Sequence, residues 1–527
     1  MTAAVFVPVL HTDFSPLDDR AMIPMNPEVT TPSWDNLAGF WAAPSFRIYM
    51  PLTLSIWHVI ATFSHYGDKL WDGSYSVGPA AFKYVSVATH ALAAAAAAWS
   101  LSAITRTRWP AVLGAMVFAL HPAQVESVAW TTGLKDELCG LFSLLAVGLY
   151  VCHTRRNPAS PWGDGRWWGA FACALLAMAS KSAGLVLPAM LLAADWATRR
   201  CSLAKRLVSV LPAVLPAVAS AMIIVATQGD SQASDVRLWQ RPLVAADTYA
   251  FYLRKVVWPG AMAIDYGRRP SDIIASGAIW WTWLFSAAAV AGVLLTRSRF
   301  WVLAAALFVI PVLPVSGLAV FDMQQYSTVT DHYLYQPLFG IGLAVALLAT
   351  WRPAVGGAVA AATCGLALMT HRECTAWQDI DRLYARILRA NPRSWMARNT
   401  IADDAADRGD IFTARRLTNE AIAVNPDHGN TLDLISRLDV LEGKYRDAAT
   451  HARSASQRVE TQRLALARRL TVLGLRLNDR DVSESGLRLW QQIEPKNQYV
   501  AGMIVAIERS KREEKRAATT RSANLGK

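Results

Sequence analysis

The sequence predicts an all-α protein: a polytopic helical membrane domain of about ten to eleven spans, followed by an α-solenoid of short helix pairs. Of its 527 residues, 53% are hydrophobic and 17% are charged, whereas soluble domains contain about 25% charged residues. Charged residues are sparse up to position 370 and dense from His371 onward. This change in composition predicts a membrane domain over 1–370 and a soluble domain over 371–510.

The membrane domain contains ten apolar runs that can form helices in a bilayer. A full span needs about 20 apolar residues, and short or re-entrant helices need fewer. Arg166 precedes the short fourth and fifth runs, and the basic cluster from Arg199 to Arg206 follows them. Basic residues at both ends favour a hairpin that begins and ends on one side. The runs are 79–104, 109–121, 134–153, 167–180, 182–196, 207–227, 277–296, 300–319, 333–351 and 353–370.

Basic residues fall in alternate loops between these runs, which predicts the orientation of the domain. The basic loops contain Arg106 and Arg108, Arg155 and Arg156, the Arg199–Arg206 cluster, Arg297 and Arg299, and Arg352. Loops rich in Lys and Arg stay on the cytoplasmic side. The outer segments are then 11–78, 121–133, 228–276, 320–332 and the soluble tail.

Two apolar stretches inside the outer segments predict helices that lie at the membrane interface. They are Tyr49 to His65 and Thr248 to Trp258, and both contain aromatic residues of the kind found at headgroup depth. The net charge of +12 is explained by basic loops between spans, so it indicates contact with membrane lipid and not with nucleic acid. The six cysteines show no CxxC spacing, and neither a disulfide framework nor a zinc site is indicated.

The soluble tail carries an internal repeat of 34 residues. Asn391-Pro392 recurs as Asn425-Pro426, from 392 to 426, and Gly409 recurs as Gly443. A 34-residue period with small residues at fixed helical positions is typical of tetratricopeptide (TPR) repeats. Such arrays usually present a concave surface to peptides or protein segments. A passive structural cap is the alternative, and the Lys- and Arg-rich end, 511–527, predicts a disordered basic tail.

Two acidic and basic groups in the outer segments are candidates for chemistry. The adjacent Asp18 and Asp19 beside a membrane face can supply a general base, although acidic pairs are usually solvated loop residues. The turn after the second run brings ionisable residues between two apolar runs, where they are costly and often functional. A polar cluster that only holds the turn is the alternative. The residues are His121, Glu126, Lys135 and Asp136.

Other basic residues in the outer segments are candidates for binding phosphate. Arg254 and Lys255 lie in the apolar sequence YLRKVVWP, which places them near the depth of lipid phosphates, and Arg268 follows in the same segment. Lys181 is similarly placed at an outer turn. Ordinary anchoring to headgroups is the alternative. His332, in the Asp331-His332-Tyr333 sequence that opens the ninth run, is either a substrate-facing residue or part of a polar helix start.

The order of several motifs resembles the TMTC-like membrane proteins and their bacterial TPR-containing relatives. These proteins are similar to the GT-C glycosyltransferases, which include the protein O-mannosyltransferases. The resemblance extends over nearly the whole chain. The matching segments are LDDRAMIPMNPEV with SWDNL, YMPLTLSIWHV, HPAQVESVAW, GLKDEL, ASKSAGLVLPAMLLAADW, YLRKVVWP and DHYLYQPLFGIG, with the TPR tail after them.

This resemblance implies transfer of a sugar from a polyprenyl-phosphate donor to an acceptor at the outer membrane face, within segment 11–78. Asp18 and Asp19 would be the catalytic base, and Arg254 and Lys255 would contact the donor phosphate. His121 and Glu126 match the family's HP…E segment. No cofactor is firmly implied, no metal ligands are visible, and the metal requirement is left open. The family's DRY-like and SKP segments read Asp331-His332-Tyr333 and Ser180-Lys181-Ser182 here.

The sequence therefore predicts an inverting glycosyltransferase that modifies a hydroxyl of an extracytoplasmic acceptor, with the acceptor protein or peptide held at the TPR surface. Its composition suggests a bacterial inner membrane, with the catalytic face and the TPR domain in the periplasm. Two other functions stay open. A non-catalytic TPR scaffold for envelope proteins would leave the outer carboxylates and basic residues scattered, and a transporter of a lipid-linked sugar would carry charges along the middle of its spans.

Overall fold

The computed structural model describes residues 1–66, 75–156, 162, 164–228, 236–458, 463–495 and 497–525. The chain forms two compact units, Met1–Pro392 and Arg393–Lys527. The division lies later than position 370, where the composition places it. The reason is the helix Ile380–Ala390, which buries Leu383, Tyr384 and Ile387 within the first unit although its surface is charged.

The first unit is built almost entirely of helices. A small antiparallel pair of strands, β1 (His65–Tyr66) and β2 (Ser76–Val77), closes part of the N-terminal segment. The helices are α1 Thr2–Val5, α2 Asp19–Met22, α3 Pro27–Thr30, α4 Trp34–Ala42, α5 Pro51–Phe63, α6 Ala80–Thr105, α7 Trp109–Leu120, α8 Gln124–Ala129, α9 Leu134–Arg156, α10 Gly165–Ser180, α11 Leu187–Thr198, α12 Leu203–Gln228, α13 Arg241–Val257, α14 Pro270–Ala275, α15 Trp283–Leu295, α16 Arg299–Val312, α17 Leu338–Trp351, α18 Pro353–Ala376 and α19 Ile380–Ala390.

Each of the ten predicted apolar runs coincides with a helix, from α6 and α7 through α9 to α12 and from α15 to α18. Five helical segments are long and apolar enough to cross a membrane: Ala80–Thr105, Thr131–Arg156, Leu203–Thr227, Ala278–Leu295 and Pro353–Ala376. Shorter apolar helices include Trp109–Leu120, Ser182–Thr198, Arg299–Val315 and Leu338–Trp351. The protein is an integral membrane protein on this length and composition.

Small residues set the closest helix contact in the bundle. A Cβ atom built on Gly114 of α7 would lie 2.1 Å from the carbonyl oxygen of Gly342 in α17, and one on Gly342 would lie 2.7 Å from the carbonyl oxygen of Gly114. The two backbones therefore touch directly, as glycine allows between membrane helices. The core around this contact contains Leu101, Phe118 and Leu343, all of them fully buried.

The loops between the helices fall into two groups that contact each other internally. The predicted cytoplasmic loops are joined by the Arg155 guanidinium on the carbonyl oxygen of Ile104 (2.6 Å) and by Arg299 on that of Trp196 (3.4 Å). The predicted outer segments are joined by Thr53 on the carbonyl oxygen of Ser180, by His121 on that of Val256, and by Thr328 on that of Arg268. Alternate helix ends thus gather together, as the alternation of basic loops predicts.

The two stretches predicted to lie at the interface are helices. Tyr49 to His65 contains α5, which buries Trp57 and leaves Phe63 exposed. Thr248 to Trp258 forms the second half of α13, with Tyr252 buried and Trp258 exposed beyond its end. Both helices are therefore apolar on two sides, one against the bundle and one outward.

The second unit consists of helical hairpins. The helices are α20 Trp395–Asp407, α21 Ile411–Val424, α22 Gly429–Leu441, α23 Tyr445–Ser456, α24 Arg463–Leu477, α25 Arg480–Ile493 and α26 Gln498–Leu525. The first helices of successive hairpins begin 34 residues apart, at 395, 429 and 463. Gly409 and Gly443, which recur in the sequence, adopt positive φ angles of 82° and 76° at the turn within each hairpin. The segment 511–527, predicted to be disordered, instead belongs to α26 as far as Leu525.

Candidate active site

The two adjacent aspartates of the N-terminal segment have opposite surroundings. Asp19 is fully buried, and its carboxylate accepts three backbone hydrogen bonds, from Ser15 (3.0 Å), Thr131 (3.1 Å) and Thr132 (2.8 Å). Asp18 is exposed, and its carboxylate has no hydrogen-bond partner among the described residues. Asp19 therefore fastens the N-terminal segment to the turn before α9, and it holds Asp18 at a fixed place on that turn.

Asp18 lies in a recess of mixed charge. The surrounding protein raises the pKa of Asp18 by desolvation, even though a water-sized probe reaches the side chain. The positive charge of Lys135 opposes this rise, the neighbouring Asp19 adds to it, and His332 opposes it more weakly. Three chain segments that are far apart in sequence thus meet at the Asp18 carboxylate.

A buried ion pair forms the next part of the recess. Lys181, at the turn after α10, lies 2.5 Å from a carboxylate oxygen of Asp136 in the first turn of α9. The Lys181 ammonium is also 5.5 Å from the centre of the Tyr333 ring, and the Lys135 ammonium is 5.4 Å from the Trp130 ring. Aromatic faces stabilise cations at such distances, so both ammonium groups have fixed positions beside Asp18.

Glu126 organises the segment that carries His332. One carboxylate oxygen accepts from the hydroxyl of Thr330 (2.7 Å) and lies 2.5 Å from Nδ1 of His332, and the other accepts from the backbone N–H of Asp331 (3.1 Å). The ring of His332 also packs edge-on against Trp130, with 5.7 Å between ring centres. Glu126 therefore sets the orientation of the His332 ring that faces Asp18.

A second buried carboxylate, Asp331, connects this cluster to α13. Its oxygens accept from the hydroxyl of Tyr266 (2.8 Å) and the backbone N–H of Ala263 (3.1 Å), and Nζ of Lys255 lies 3.9 Å away. Burial raises the pKa of Asp331 to about 7, against the opposing charge of Lys255. Lys255 also donates to the carbonyl oxygen of Ala261, so its ammonium is occupied by protein groups.

The three arginine and lysine candidates of segment 228–276 differ in accessibility. Arg254 is exposed and has no carboxylate partner among the described residues, and its guanidinium lies 5.7 Å from the Phe251 ring. Lys255 is buried in the pair just described. Arg268 pairs with the buried Asp247 at 2.5 Å. Arg254 and Lys255 line one cavity of about 250 Å³ together with Trp258 and Tyr266.

His121 contributes to the architecture around this cavity. It is buried, its Nε2 lies 3.4 Å from the carbonyl oxygen of Val256, and its Nδ1 accepts from the backbone N–H of Ala123. Both ring nitrogens thus bind backbone groups, and the side chain joins the turn after α7 to the end of α13. No group of three or more His, Cys, Asp or Glu that could hold a metal ion occurs in the part of the chain that the structure describes.

The structure brings together most of the candidate residues from the sequence. One set surrounds Asp18 and comprises Asp19, Lys135, Asp136, Lys181, Glu126 and His332. Arg254 and Lys255 line the neighbouring cavity, while Arg268 is held in its pair with Asp247. Sequence reasoning missed Tyr266 and Trp130 and did not select Asp331. An aromatic residue beside a polar turn gives no local signal of its role, and only the folded contacts reveal it.

Comparison with known proteins gives little to add to this geometry. No protein-family model matches the chain, and no curated protein matches it. Among solved structures, the chain is similar to ArnT from Cupriavidus metallidurans in its crystal structure bound to undecaprenyl phosphate, at 12% sequence identity and a TM-score of 0.33. The match covers 87% of this chain and 79% of that one. A score this low carries no argument about function, so the site is argued from its own residues.

Proposed function

We propose that this protein is a membrane glycosyltransferase of the GT-C type. It moves a sugar from a polyprenyl-phosphate donor to a hydroxyl of an extracytoplasmic acceptor. The observation that carries the proposal is Asp18. It is an accessible carboxylate, anchored through Asp19, among the cations of a recess at one end of a bundle of apolar helices. A donor with an apolar chain and a phosphate would reach such a recess from the membrane.

Asp18 would act as the general base. Its carboxylate accepts the proton of the acceptor hydroxyl, and the hydroxyl oxygen forms a bond to the anomeric carbon. The bond from that carbon to the phosphate oxygen breaks at the same time, and the polyprenyl phosphate leaves with the electron pair. Attack opposite to the leaving group inverts the anomeric centre. The raised pKa of Asp18 makes its carboxylate a stronger base than an ordinary aspartate.

The cations of the site would stabilise the negative charge that develops on the leaving phosphate. Arg254 is placed to touch the phosphate because its guanidinium is exposed and has no carboxylate partner among the described residues. Lys181, with 18% of its side chain accessible, is a second contact, although Asp136 shares its charge. Lys255 and Arg268 bind carboxylates of the protein and would shape the site from behind.

The second unit would dock the acceptor, which we take to be a protein. Its hairpins begin 34 residues apart, as in TPR arrays that bind peptides and protein segments. The proposed location is the bacterial inner membrane, with the catalytic face and the TPR domain in the periplasm. The alternation of basic loops favours this orientation.

The test is the glycan state of the extracytoplasmic proteins, measured by intact-mass spectrometry. Cells with the native protein are compared with cells that carry Asp18→Asn, and Asp35→Asn serves as the matched control, since Asp35 is an exposed aspartate of the same segment. We expect one discrete sugar mass to disappear from one or a few proteins with Asp18→Asn only, while both variants accumulate in the membrane. Unchanged masses on proteins, glycans and lipids would contradict the proposal.

A further inference from the structure

A second cavity lies next to the one that contains Arg254. Its volume is about 410 Å³, within the range of roughly 300–1,000 Å³ that is usual for small-molecule sites. The two cavities share Gly260, Ala261 and Ala390 in their walls. Together they form one feature, here named the arginine recess. The larger cavity is lined by Pro122, Pro259, Gly260, Ala261, Met262, Met369, Arg372, Glu373, Arg386, Arg389 and Ala390.

The arginine recess has an excess of positive charge that the protein does not neutralise. Arg386 pairs with Glu373, and both line the cavity. Arg254, Arg372 and Arg389 are exposed, and none of them has a carboxylate partner among the described residues. A guanidinium presents a planar set of donors that fits two oxygens of one phosphate. The chemistry of the recess therefore suits a phosphate group.

The recess lies where an apolar helix ends. Arg372 is close to the C-terminal end of α18, whose last residue is Ala376, and Pro353–Ala376 is long and apolar enough to cross a membrane. On the same helix Leu368 is 53% exposed and Met369 is 38% exposed. A basic pocket at the end of a membrane helix is at the depth of lipid headgroups. Pro122, Met262 and Met369 give the cavity apolar walls beside its arginines.

We propose that the arginine recess binds the phosphate group of a membrane lipid through Arg372 and Arg389, with Arg254 on the side of the active site. That the lipid is the polyprenyl phosphate of the donor rests on the proposed function. Binding to the phosphate itself does not rest on it. Lipid of this kind would enter between α18, α19 and the stretch 259–262, where arginines meet apolar walls.

Binding is measured on the full-length protein in nanodiscs, with undecaprenyl phosphate as the probe and the neutral undecaprenol as its comparison. The test variants are Arg372→Gln and Arg389→Gln. The matched control is Arg382→Gln, because Arg382 belongs to the same helix as Arg389, is 73% exposed, pairs with Asp379 and does not line the recess. We expect each test variant to weaken binding of undecaprenyl phosphate by about tenfold and the control to leave it unchanged, since one charge-assisted contact contributes about 1.5 kcal/mol or more.

Further arms of the experiment separate the sources of the phosphate. Equal weakening of phosphatidylglycerol binding would support a site for lipid phosphates in general. Inorganic phosphate that displaces the lipid at the same concentration would overturn the lipid assignment, and unchanged binding in both test variants would overturn the site. Asp18→Asn keeps the binding and loses transfer if both proposals hold. Arginine variants that lose binding, together with an Asp18→Asn variant that keeps the sugar mass, would sink only the transferase.

Discussion

Asp18 and Asp19 are neighbours in the chain, and their side chains do different work. Asp19 spends both of its oxygens on backbone N–H groups of Ser15, Thr131 and Thr132. Asp18 keeps an accessible carboxylate close to Lys135 and His332. The resemblance to a glycosyltransferase family indicates an acidic pair, and the contacts favour Asp18 as the base and Asp19 as its anchor.

The two positions should respond differently to the same substitution. Asp18→Asn removes the base, and we expect transfer to fall by about 10²–10⁴-fold with an unchanged thermal unfolding temperature. Asp19→Asn places an amide N–H₂ against backbone donors in a buried site, which should reduce the free energy of unfolding by about 1–3 kcal/mol. Activity and thermal unfolding of the purified protein measure the two effects. A stable and fully active Asp19→Asn variant would contradict the anchoring role.

The pH dependence of transfer should reveal the charge beside Asp18. The base acts as a carboxylate, so activity is full above the pKa of Asp18 and falls as the pH drops through it. Lys135 lowers this pKa. Lys135→Met should therefore raise the pKa and move the acid limb of the kcat/KM profile to higher pH, whereas Lys135→Arg should leave the limb in place. An acid limb at the same pH in both variants would show that Lys135 does not act on the base.

Sequence reasoning reached most residues of the site and could not rank them. Arg254 and Lys255 are adjacent basic residues in one apolar sequence, but successive positions on a helix point in different directions. Arg254 is therefore exposed, while Lys255 is buried against Asp331. The role of Tyr266 as the donor to Asp331 depends on a contact between residues 65 apart, which local sequence patterns do not contain.

At the scale of elements, hydropathy predicted the helices well because the bilayer fixes their length and requires their backbone groups to be paired internally. The predicted run 79–104 corresponds to Ala80–Thr105, and 353–370 corresponds to Pro353–Ala376. The ends differ most where polar residues continue a helix beyond its apolar part. His371 to Ala376 extend α18 in this way and carry Arg372 to the edge of the arginine recess.

The contact between α7 and α17 gives a prediction at this scale. Gly342→Ala would place a methyl group 2.7 Å from the carbonyl oxygen of Gly114, and separating two packed helices costs about 1–3 kcal/mol. We expect a lower thermal unfolding temperature in detergent. Gly365→Ala in α18 is the control, because nothing lies within 4 Å of its Cβ position. Equal unfolding temperatures for the two variants would argue against the close contact.

At the scale of the whole molecule, the chain divides at Pro392, and the second unit can be removed without cutting α19. Composition places the boundary at 370, inside α18, because charge density rises there before the membrane unit ends. A deletion that begins at Arg393 keeps the arginine recess and the whole cluster around Asp18. It therefore separates the role of the hairpins from that of the site.

If the second unit docks a protein acceptor, deletion of 393–527 should reduce transfer to a folded protein much more than transfer to a short peptide from the same protein. The reason is that the chemistry at Asp18 is unchanged, while the docking surface is lost. Initial rates with the two acceptors measure the effect, and the amount of protein in the membrane is the control. Equal losses for both acceptors would count against a docking role and favour a structural one.

The hydrogen bonds of Asp19 also constrain the order of events during synthesis. Its partners Thr131 and Thr132 follow it by 112 and 113 positions in the chain. The N-terminal segment therefore leaves the ribosome, and α6 and α7 enter the bilayer, before the amides that fix Asp19 have been made. Until then Asp18 has no defined neighbours, so a nascent chain that ends before Thr131 cannot be active. The enzyme becomes competent only once the turn before α9 has been translocated and has closed over the segment that was translocated first.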